Sequence, residues 1–313
     1  MKRNFFVLAD EGVKASDEDL KFWQEAFFES LDDNAKSLYD SWTSFPENFS
    51  QKSSTYFQGY AELLSRFRGK NCTLVEIGVF EGGSLKMWKD WLGPKSRIIG
   101  IDLNPEATKY QEKGIEIVIG DQADPDFWQQ LFVQYPEIDI VIDDGGHQYF
   151  QQIITFFSVA FNTKKSVCLI FEDVTTSYYT DFIKNNEGKS FIEFSKTLLD
   201  NLMAKQKFSK RNRLKWIENI DESKLKGYNF VQSIHYHSGI FALNINRKNN
   251  LIPLTLSNTP VSKKSQDKDY RFASGVKGVS FIWPDPFDKK TVTVKANKFD
   301  DTPEKAIIKI KFN

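Results

Sequence analysis

Two short segments concentrate the side chains that could do chemistry. One reads Ile142-Asp143-Asp144-Gly145-Gly146-His147 and the other Phe171-Glu172-Asp173. Each closes an apolar run, Ile138–Ile142 and Val167–Phe171, of the kind that forms a strand buried on both faces. As neighbouring parallel strands they would deliver Asp144, Glu172 and Asp173 to one edge of a sheet, outside the carboxyl ends where ligands bind in such folds. Three clustered carboxylates repel one another unless a cation sits among them. All-oxygen ligation selects a hard ion, Mg²⁺ ahead of Mn²⁺ or Ca²⁺, with positions left open for substrate oxygens. His147 follows Asp144 by three positions across two glycines, a tight turn expected to swing its imidazole toward the metal. A hydroxyl bound to Mg²⁺ has a lowered pKa, and an adjacent imidazole can take its proton at neutral pH. Taken singly, Asp144 or Asp173 would serve equally well as the cap of a following loop.

A second constellation lies upstream. The strand Thr73–Ile77 runs into a glycine turn, Gly78-Val79-Phe80-Glu81-Gly82-Gly83-Ser84. Glycines there let the backbone approach a ligand while the amides of the next helix face it. A dinucleotide site would want G-x-G-x-x-G around a pyrophosphate. Here the spacing is Gly78-x-x-x-Gly82, and Glu76, two residues before Gly78, would repel a diphosphate. A cationic ligand suits that carboxylate, and S-adenosylmethionine carries both an ammonium and a sulfonium. The next strand ends Gly100-Ile101-Asp102, with an acid placed for ribose hydroxyls. The third ends Gly120-Asp121-Gln122, placed to meet an adenine.

The elements that must position these residues follow from hydrophobic periodicity. Strands are expected at Thr73–Ile77, Arg97–Ile101, Ile115–Ile119, Ile138–Ile142 and Val167–Phe171, alternating with helical stretches near 83–92, 105–112, 124–134 and 149–162. Phe230–His235 and Ile240–Ile245, around Ser238-Gly239, read as an antiparallel pair after a helix near 188–206. The alternation requires an α/β sheet with helices on both faces. Upstream, a helix opening at Asp17-Glu18-Asp19 and an amphipathic piece from Tyr56 to Phe67 flank a break at Ser41–Ser54. We therefore expect an N-terminal helical extension at 1–70, a ligand-binding domain at 71–248 and a β-rich appendage at 249–313. The extensions would cover the active site or form a homo-oligomer contact.

Composition sets outer bounds. The 313 residues carry 42 Lys+Arg against 42 Asp+Glu, which speaks against nucleic-acid binding through bulk charge. No apolar run approaches the roughly 20 residues of a membrane span. The start has too few apolar residues for a secretory segment, and Cys72 and Cys168 give no disulfide framework. A cytoplasmic protein is the expectation. The late histidines, His235 and His237, alternate on one strand face and read as structural ahead of metal-binding. The basic stretch Lys205–Lys215 reads as a solvated surface or a contact for an anionic acceptor, and Trp283-Pro-Asp-Pro-Phe287 as core of the appendage.

Residues 72–245 resemble the class I S-adenosylmethionine-dependent methyltransferases, and more narrowly the metal-dependent sugar O-methyltransferases of the mycinamicin VI 2''-O-methyltransferase type. The likeness is carried by Glu76–Ser84 with Leu85 and Trp88, Gly120-Asp-Gln122, Ile142–His147, Phe171-Glu-Asp173 with Thr176-Ser-Tyr178, and Ser233-Ile-His-Tyr236. It implies a Rossmann-like, doubly wound seven-stranded sheet. It also implies that Glu76, Gly78, Gly82 and Ser84, with Asp102, Asp121, Gln122 and Asp143, line an S-adenosylmethionine pocket. Asp144, Glu172 and Asp173 would hold Mg²⁺, and His147 would be the general base. Tyr178, Tyr179 and His235 would face the acceptor, a small molecule or glycan. The chain departs from the pattern twice: Gln51-Lys-Ser-Ser54 stands where an Asp-Lys-Gly element is common, and Tyr179 where a tryptophan is. The implied reaction is O-methylation of a sugar hydroxyl. Rival readings are a catechol-like acceptor and a non-catalytic binding protein of the same fold. A hydroxylase lacks a visible 2-His-1-carboxylate pattern.

Overall fold

A computed structural model of the chain describes residues 16–183, 190–204, 230–246, 280–284, 291–295 and 309–312. The chain divides into two compact units, Met1–Pro253 and Leu254–Asn313. The first unit opens with helices α1 (Asp17–Ser30), α2 (Asp33–Trp42) and α3 (Tyr56–Leu64). Ser16 and Asp19 form a capping box on α1, and Asp32 caps α2 by accepting from the Ala35 amide. The α/β body follows as β1 (Cys72–Ile77), α4 (Gly83–Leu92), β2 (Ser96–Asp102), β3 (Ile115–Ile119), α5 (Pro125–Gln134), β4 (Ile140–Asp143), α6 (Tyr149–Asn162) and β5 (Val167–Phe171). It closes with α7 (Thr180–Ile183), α8 (Phe191–Ala204), β6 (Val231–His237) and β7 (Ile240–Ile245). The expected helix at 105–112 is instead a 3₁₀ turn, Pro105–Tyr110, capped by Asn104.

The seven strands lie in the order β3-β2-β1-β4-β5-β7-β6. All pair in parallel except β7, which runs antiparallel to both β5 and β6. The strand order reverses between β1 and β4, the crevice at which doubly wound sheets bind ligands. Strand alternation assigns each residue to a face. Cys72, Leu74, Ile140, Ile142, Cys168 and Ile170 point into one core layer, which α2, α3 and α4 complete with Leu38, Tyr60 and Trp88. Val75, Ile77, Val141, Leu169 and Phe171 point into the other, closed by Trp128 of α5, Phe156 of α6 and Leu198 of α8. Helices α2 and α3 are thus one wall of the sheet's own core.

The second unit contains β8 (Ser280–Pro284), β9 (Thr291–Lys295) and β10 (Lys309–Phe312), an antiparallel three-stranded sheet in the order β10-β9-β8. That is the β-rich appendage expected from the sequence. The basic stretch 205–215, the fragment 251–256 and residues 285–287 lie outside the described residues.

Candidate functional site

The carboxyl ends of β1, β2, β3 and β4 open into a cleft of about 490 Å³. Of the residues expected to hold a cofactor, Gly78, Ser84, Asp102, Asp121 and Gln122 line it, together with Asp144, Lys52, Phe49, Phe80 and Leu103. Gly78 has φ +90°, and a Cβ there would lie 2.2 Å from the Asp144 carbonyl oxygen. Only glycine lets the β1 turn and the β4 turn pass this closely. Asp102 braces the glycine turn: one carboxylate oxygen accepts from the amides of Val79 (2.9 Å) and Phe80 (3.4 Å), the other from Asn104 (2.8 Å).

Three expected cofactor residues stand behind the wall instead. Glu76 is fully buried, its Oε2 accepting from Ser84 Oγ at 2.9 Å. Burial pushes its pKa up to about 7, with the charge of Lys52 opposing the rise. Asp143 is also fully buried and accepts from Gln122 Nε2 at 3.0 and 3.2 Å. Burial raises its pKa, with that amide partly offsetting the rise. Gln122 in turn accepts from the Gly146 amide at 3.0 Å, so Asp143 orients Gln122 and Gln122 holds the Gly-Gly turn. Gly82, at φ +76°, is the N-cap of α4.

Strand parity divides the acidic residues. Within the strands, Glu76 follows the row that faces α2–α4, whereas Asp143 follows the row of the opposite face. Among the described residues two groups bring three ligand atoms within 4.8 Å of one another: Asp144, His147 and Asp173, and Glu76, Asp144 and Glu172. Of the three acids expected to hold Mg²⁺, Asp144 and Asp173 fall in the first group and Asp144 and Glu172 in the second; β5 ends at Phe171, and Asp173 beyond it takes a left-handed backbone, φ +49°. Asp144 belongs to both groups.

In the first group His147 Nε2 lies 3.9 Å from Asp144 Oδ1 and 3.6 Å from Asp173 Oδ2. His147 Nδ1 is buried without a hydrogen-bond partner. The turn that aims the ring differs from expectation in one respect: His147 itself takes the left-handed conformation, φ +54°, and the two glycines do not. The glycines are needed for space, since a Cβ at Gly145 would meet Gln122 Oε1 at 2.1 Å and one at Gly146 would meet Gln151 Oε1 at 2.3 Å. Among the described residues the non-glycine residues with positive φ are Phe80, His147 and Asp173, all at this end of the sheet. Such conformations gather where function over-determines the backbone. Asp173 is held by Tyr56 of α3, whose hydroxyl donates to Oδ1 and accepts from the Asp173 amide at 3.1 Å.

The second group already contains a cation. Lys52 Nζ sits 2.6 Å from Asp144 Oδ2, 2.8 and 2.9 Å from the Glu172 oxygens and 3.7 Å from Glu76 Oε1. Its side chain is 1% exposed. Burial alone would push the Lys52 ammonium down, yet the carboxylates of Asp144, Glu172 and Glu76 together hold it well above its ordinary value. Glu172 is pushed up by burial and by Asp144, with Lys52 opposing. Neither Lys52 nor Tyr56 was singled out as a site residue from the sequence. The available signal for Lys52 was its place in Gln51-Lys-Ser-Ser54, the stretch that stands where an Asp-Lys-Gly element is common.

The expected acceptor residues are not drawn in. Tyr178 and Tyr179 are 74% and 60% exposed, at the end of the 3₁₀ turn Val174–Tyr178, and do not line the cleft. His235 sits on the edge strand β6 with its Nε2 3.1 Å from Ser233 Oγ. Burial lowers its pKa, helped by the charge of neighbouring His237. His237 lies 3.8 Å from Glu62 Oε2, and among the described residues no group of three metal-ligating side chains includes either histidine.

The residues present suit both implied ligands. The Asp144 and Asp173 carboxylates are oxygen donors suited to a divalent cation, with His147 Nε2 beside them. The Gly78 turn, Asp102, Asp121 and Gln122 make a cradle for a nucleoside at the switch point of the sheet.

Comparison with known proteins bears on the fold. No family model matches the chain. It is 32% identical over 158 residues to 8-demethyl-8-alpha-L-rhamnosyl tetracenomycin-C 2'-O-methyltransferase of Streptomyces olivaceus, a match covering 47% of this chain and 41% of that protein. It is 31% identical over 123 residues to mycinamicin VI 2''-O-methyltransferase of Micromonospora griseorubida, covering 37% and 30%. The chain thus spans about two fifths or less of the length of these relatives. The structure of the MycE methyltransferase from the mycinamycin biosynthetic pathway, in complex with Mg and SAH, superposes with a TM-score of 0.55 at 23% identity, over 74% of this chain and 60% of that one. A further MycE structure, with Mg, SAH and mycinamycin VI, superposes with a TM-score of 0.54 at 20% identity, over 75% and 63%. The fold is that of a Rossmann-like methyltransferase. Among the described residues no helix is long and apolar enough to cross a membrane.

Proposed function

We propose that this chain is an S-adenosylmethionine- and Mg²⁺-dependent O-methyltransferase acting on a hydroxyl of a sugar or glycosylated small molecule. The observation that carries the reading is the position of Asp144, which lines the nucleoside-shaped cleft and also presents Oδ1 to His147. One residue therefore joins the place where a methyl donor would lie to the place where a proton would be taken. The sequence relatives support the acceptor class, since two of them are named for methylation of a sugar hydroxyl on a glycosylated metabolite.

In this reading the Gly78 turn, Asp102, Asp121 and Gln122 hold the cofactor, with Glu76 supplying negative charge behind Ser84. Asp144 and Asp173 would hold the divalent ion, and Tyr56 fixes the second of them. Bound S-adenosylmethionine supplies the sulfonium methyl, and the divalent ion makes an acceptor hydroxyl more acidic. His147 Nε2 takes the acceptor's proton. Its left-handed backbone and the Gln122-held turn keep the ring aimed between the two carboxylates, so that orientation is set before the acceptor arrives.

Two measurements test this. Purified protein should bind S-adenosylhomocysteine in calorimetry, and transfer of a labelled methyl to a panel of glycosides should stop on chelation and return with Mg²⁺. The His147→Ala variant should lose about 10²–10⁴-fold in rate, the usual contribution of a general base, while S-adenosylhomocysteine affinity stays near wild type because His147 does not line the cleft. A variant keeping more than about a tenth of the rate would remove His147 from the mechanism. Transfer to catechols and not to glycosides would replace the acceptor class.

A further inference from the structure

We infer that Gln122 and Gln151 are positioning residues for His147: two side-chain carbonyls that hold the backbone amides on either side of it and carry the filling of the cofactor cleft to the aim of its imidazole. The link to the cofactor rests on the reading above; the hold on the turn does not.

The amide of Gly146, just before His147, donates to Gln122 Oε1 at 3.0 Å. The amide of Gln148, just after it, donates to Gln151 Oε1 at 3.2 Å. From a third side Thr176 Oγ1 donates to the His147 carbonyl at 3.4 Å. His147 needs such a hold, since a residue with a Cβ stays in the left-handed region, here φ +54°, where its surroundings over-determine it. Both carbonyls are themselves fixed. Gln122 Nε2 donates to Asp143 at 3.0 and 3.2 Å, which turns Oε1 toward Gly146. Trp128 Nε1 donates to the Gln122 main-chain carbonyl at 2.9 Å and anchors the backbone behind it. Gln151 stands in the first turn of α6, where its carbonyl closes the helix start by capping the Gln148 amide. The two glycines complete the clasp, because a Cβ at Gly145 would collide with Gln122 and one at Gly146 with Gln151.

The same two glutamines wall the cofactor cleft, with Gly145 and Gly146 beside them. A ligand that fills the cleft therefore packs on the side chains that fix the turn, and it narrows the positions open to both carbonyls. The imidazole is held most tightly when the methyl donor is in place, and cofactor before acceptor is the binding order that follows. By linkage, a turn held by the acceptor tightens the cleft on the cofactor to the same degree.

The chain has three histidines, so protein labelled at the histidine ε1 carbon gives three ring signals by NMR, and His147→Ala identifies the one of interest. At fixed pH and Mg²⁺ concentration, saturating S-adenosylhomocysteine should shift and sharpen the His147 signal and leave those of His235 and His237 on β6 unmoved. Gln151→Met keeps the length of the side chain and removes its carbonyl. Its His147 signal should be broadened before ligand is added and should no longer follow saturation. S-adenosylhomocysteine affinity should stay within about threefold of wild type while kcat falls about tenfold. Gln151→Glu restores an acceptor oxygen and should recover the sharp signal. Gln122→Met is made together with Asp143→Leu, so that no buried carboxylate is stranded, and should behave like Gln151→Met. A His147 signal in Gln151→Met that is as sharp as wild type and follows the ligand in the same way overturns the proposal. So does a wild-type signal that stays in place while calorimetry shows the cleft filled. Protein that binds no S-adenosylhomocysteine would sink the transferase reading and the link to the cofactor with it. Broadening in ligand-free Gln151→Met would then still support the hold on the turn, and a sharp, unmoved signal would remove that too.

Discussion

Tyr56→Phe removes a single oxygen from α3 and leaves the ring that packs edge-on against Tyr60 at 6.0 Å. That oxygen donates to Asp173 Oδ1 and accepts from the Asp173 amide. A hydrogen bond to a charged group is worth about 1.5–3 kcal/mol net and a neutral one about 0.5–1.5 kcal/mol. The plain sum overstates the loss, because the Asp173 side chain is 43% exposed and water can take over part of the hydroxyl's role. The left-handed strain at Asp173, φ +49°, stays in the folded state of the variant and no longer has the tyrosine holding it. We expect a loss of about 1–2 kcal/mol, read as a lower urea midpoint at unchanged m-value. A cycle with Asp173→Asn should show a coupling energy of about 1 kcal/mol, since the two residues contact directly. Mn²⁺ affinity should fall about tenfold, the lower end for loss of a group that orients a metal ligand. Burial, then the Asp173 carboxylate, push the Tyr56 phenol above its ordinary value, so the donor persists through any assay near neutrality. Stability within about 0.3 kcal/mol of wild type, with no coupling to Asp173 and unaltered Mn²⁺ affinity, would refute the assignment of Tyr56 to positioning.

Two further perturbations test the cleft. Gly78→Ala would place a methyl 2.2 Å from a backbone oxygen at φ +90°, so both strain and collision oppose it. A stability loss of about 3 kcal/mol or more and no thermal shift with S-adenosylhomocysteine are expected; a variant that melts and binds like wild type would dismiss the cradle. Glu76 titrates near 7 in the folded chain against an ordinary 4.5, so the folded state keeps a proton that the unfolded chain releases. Stability of the ligand-free protein should therefore decline as pH rises from about 4.5 to 7, and Glu76→Gln should flatten that decline. An unchanged slope in Glu76→Gln would assign the dependence to another group.

What the sequence made legible, and what it hid, follows from the distance over which each residue finds its partner. The strand ends were readable because each functional side chain lies within a few residues of the apolar run that positions it. All seven strands of the main sheet were placed to within about two residues, the usual boundary error. The division of the acids was also present in the sequence, as period-two alternation. Leu74-x-Glu76 lies on one face and Val141-x-Asp143 on the other, whereas Asp144, Glu172 and Asp173 lie beyond their strands.

Lys52 and Tyr56 were hidden for a different reason. Lys52 meets Asp144 and Glu172 across 92 and 120 positions, and Tyr56 meets Asp173 across 117. No local pattern encodes such pairings; they exist because α2 and α3 form one wall of the core and carry the connecting segment over the sheet edge. The N-terminal segment that looked like an addition to the α/β body therefore contributes two polar contacts to the candidate site. Asp144, one residue beyond β4 and free of the strand's alternation, is where the two halves meet. A strand residue can serve only one face of a sheet, whereas a residue just past the strand end can offer one oxygen to each side. That is why the acid shared by Lys52 and His147 follows the strand rather than belonging to it.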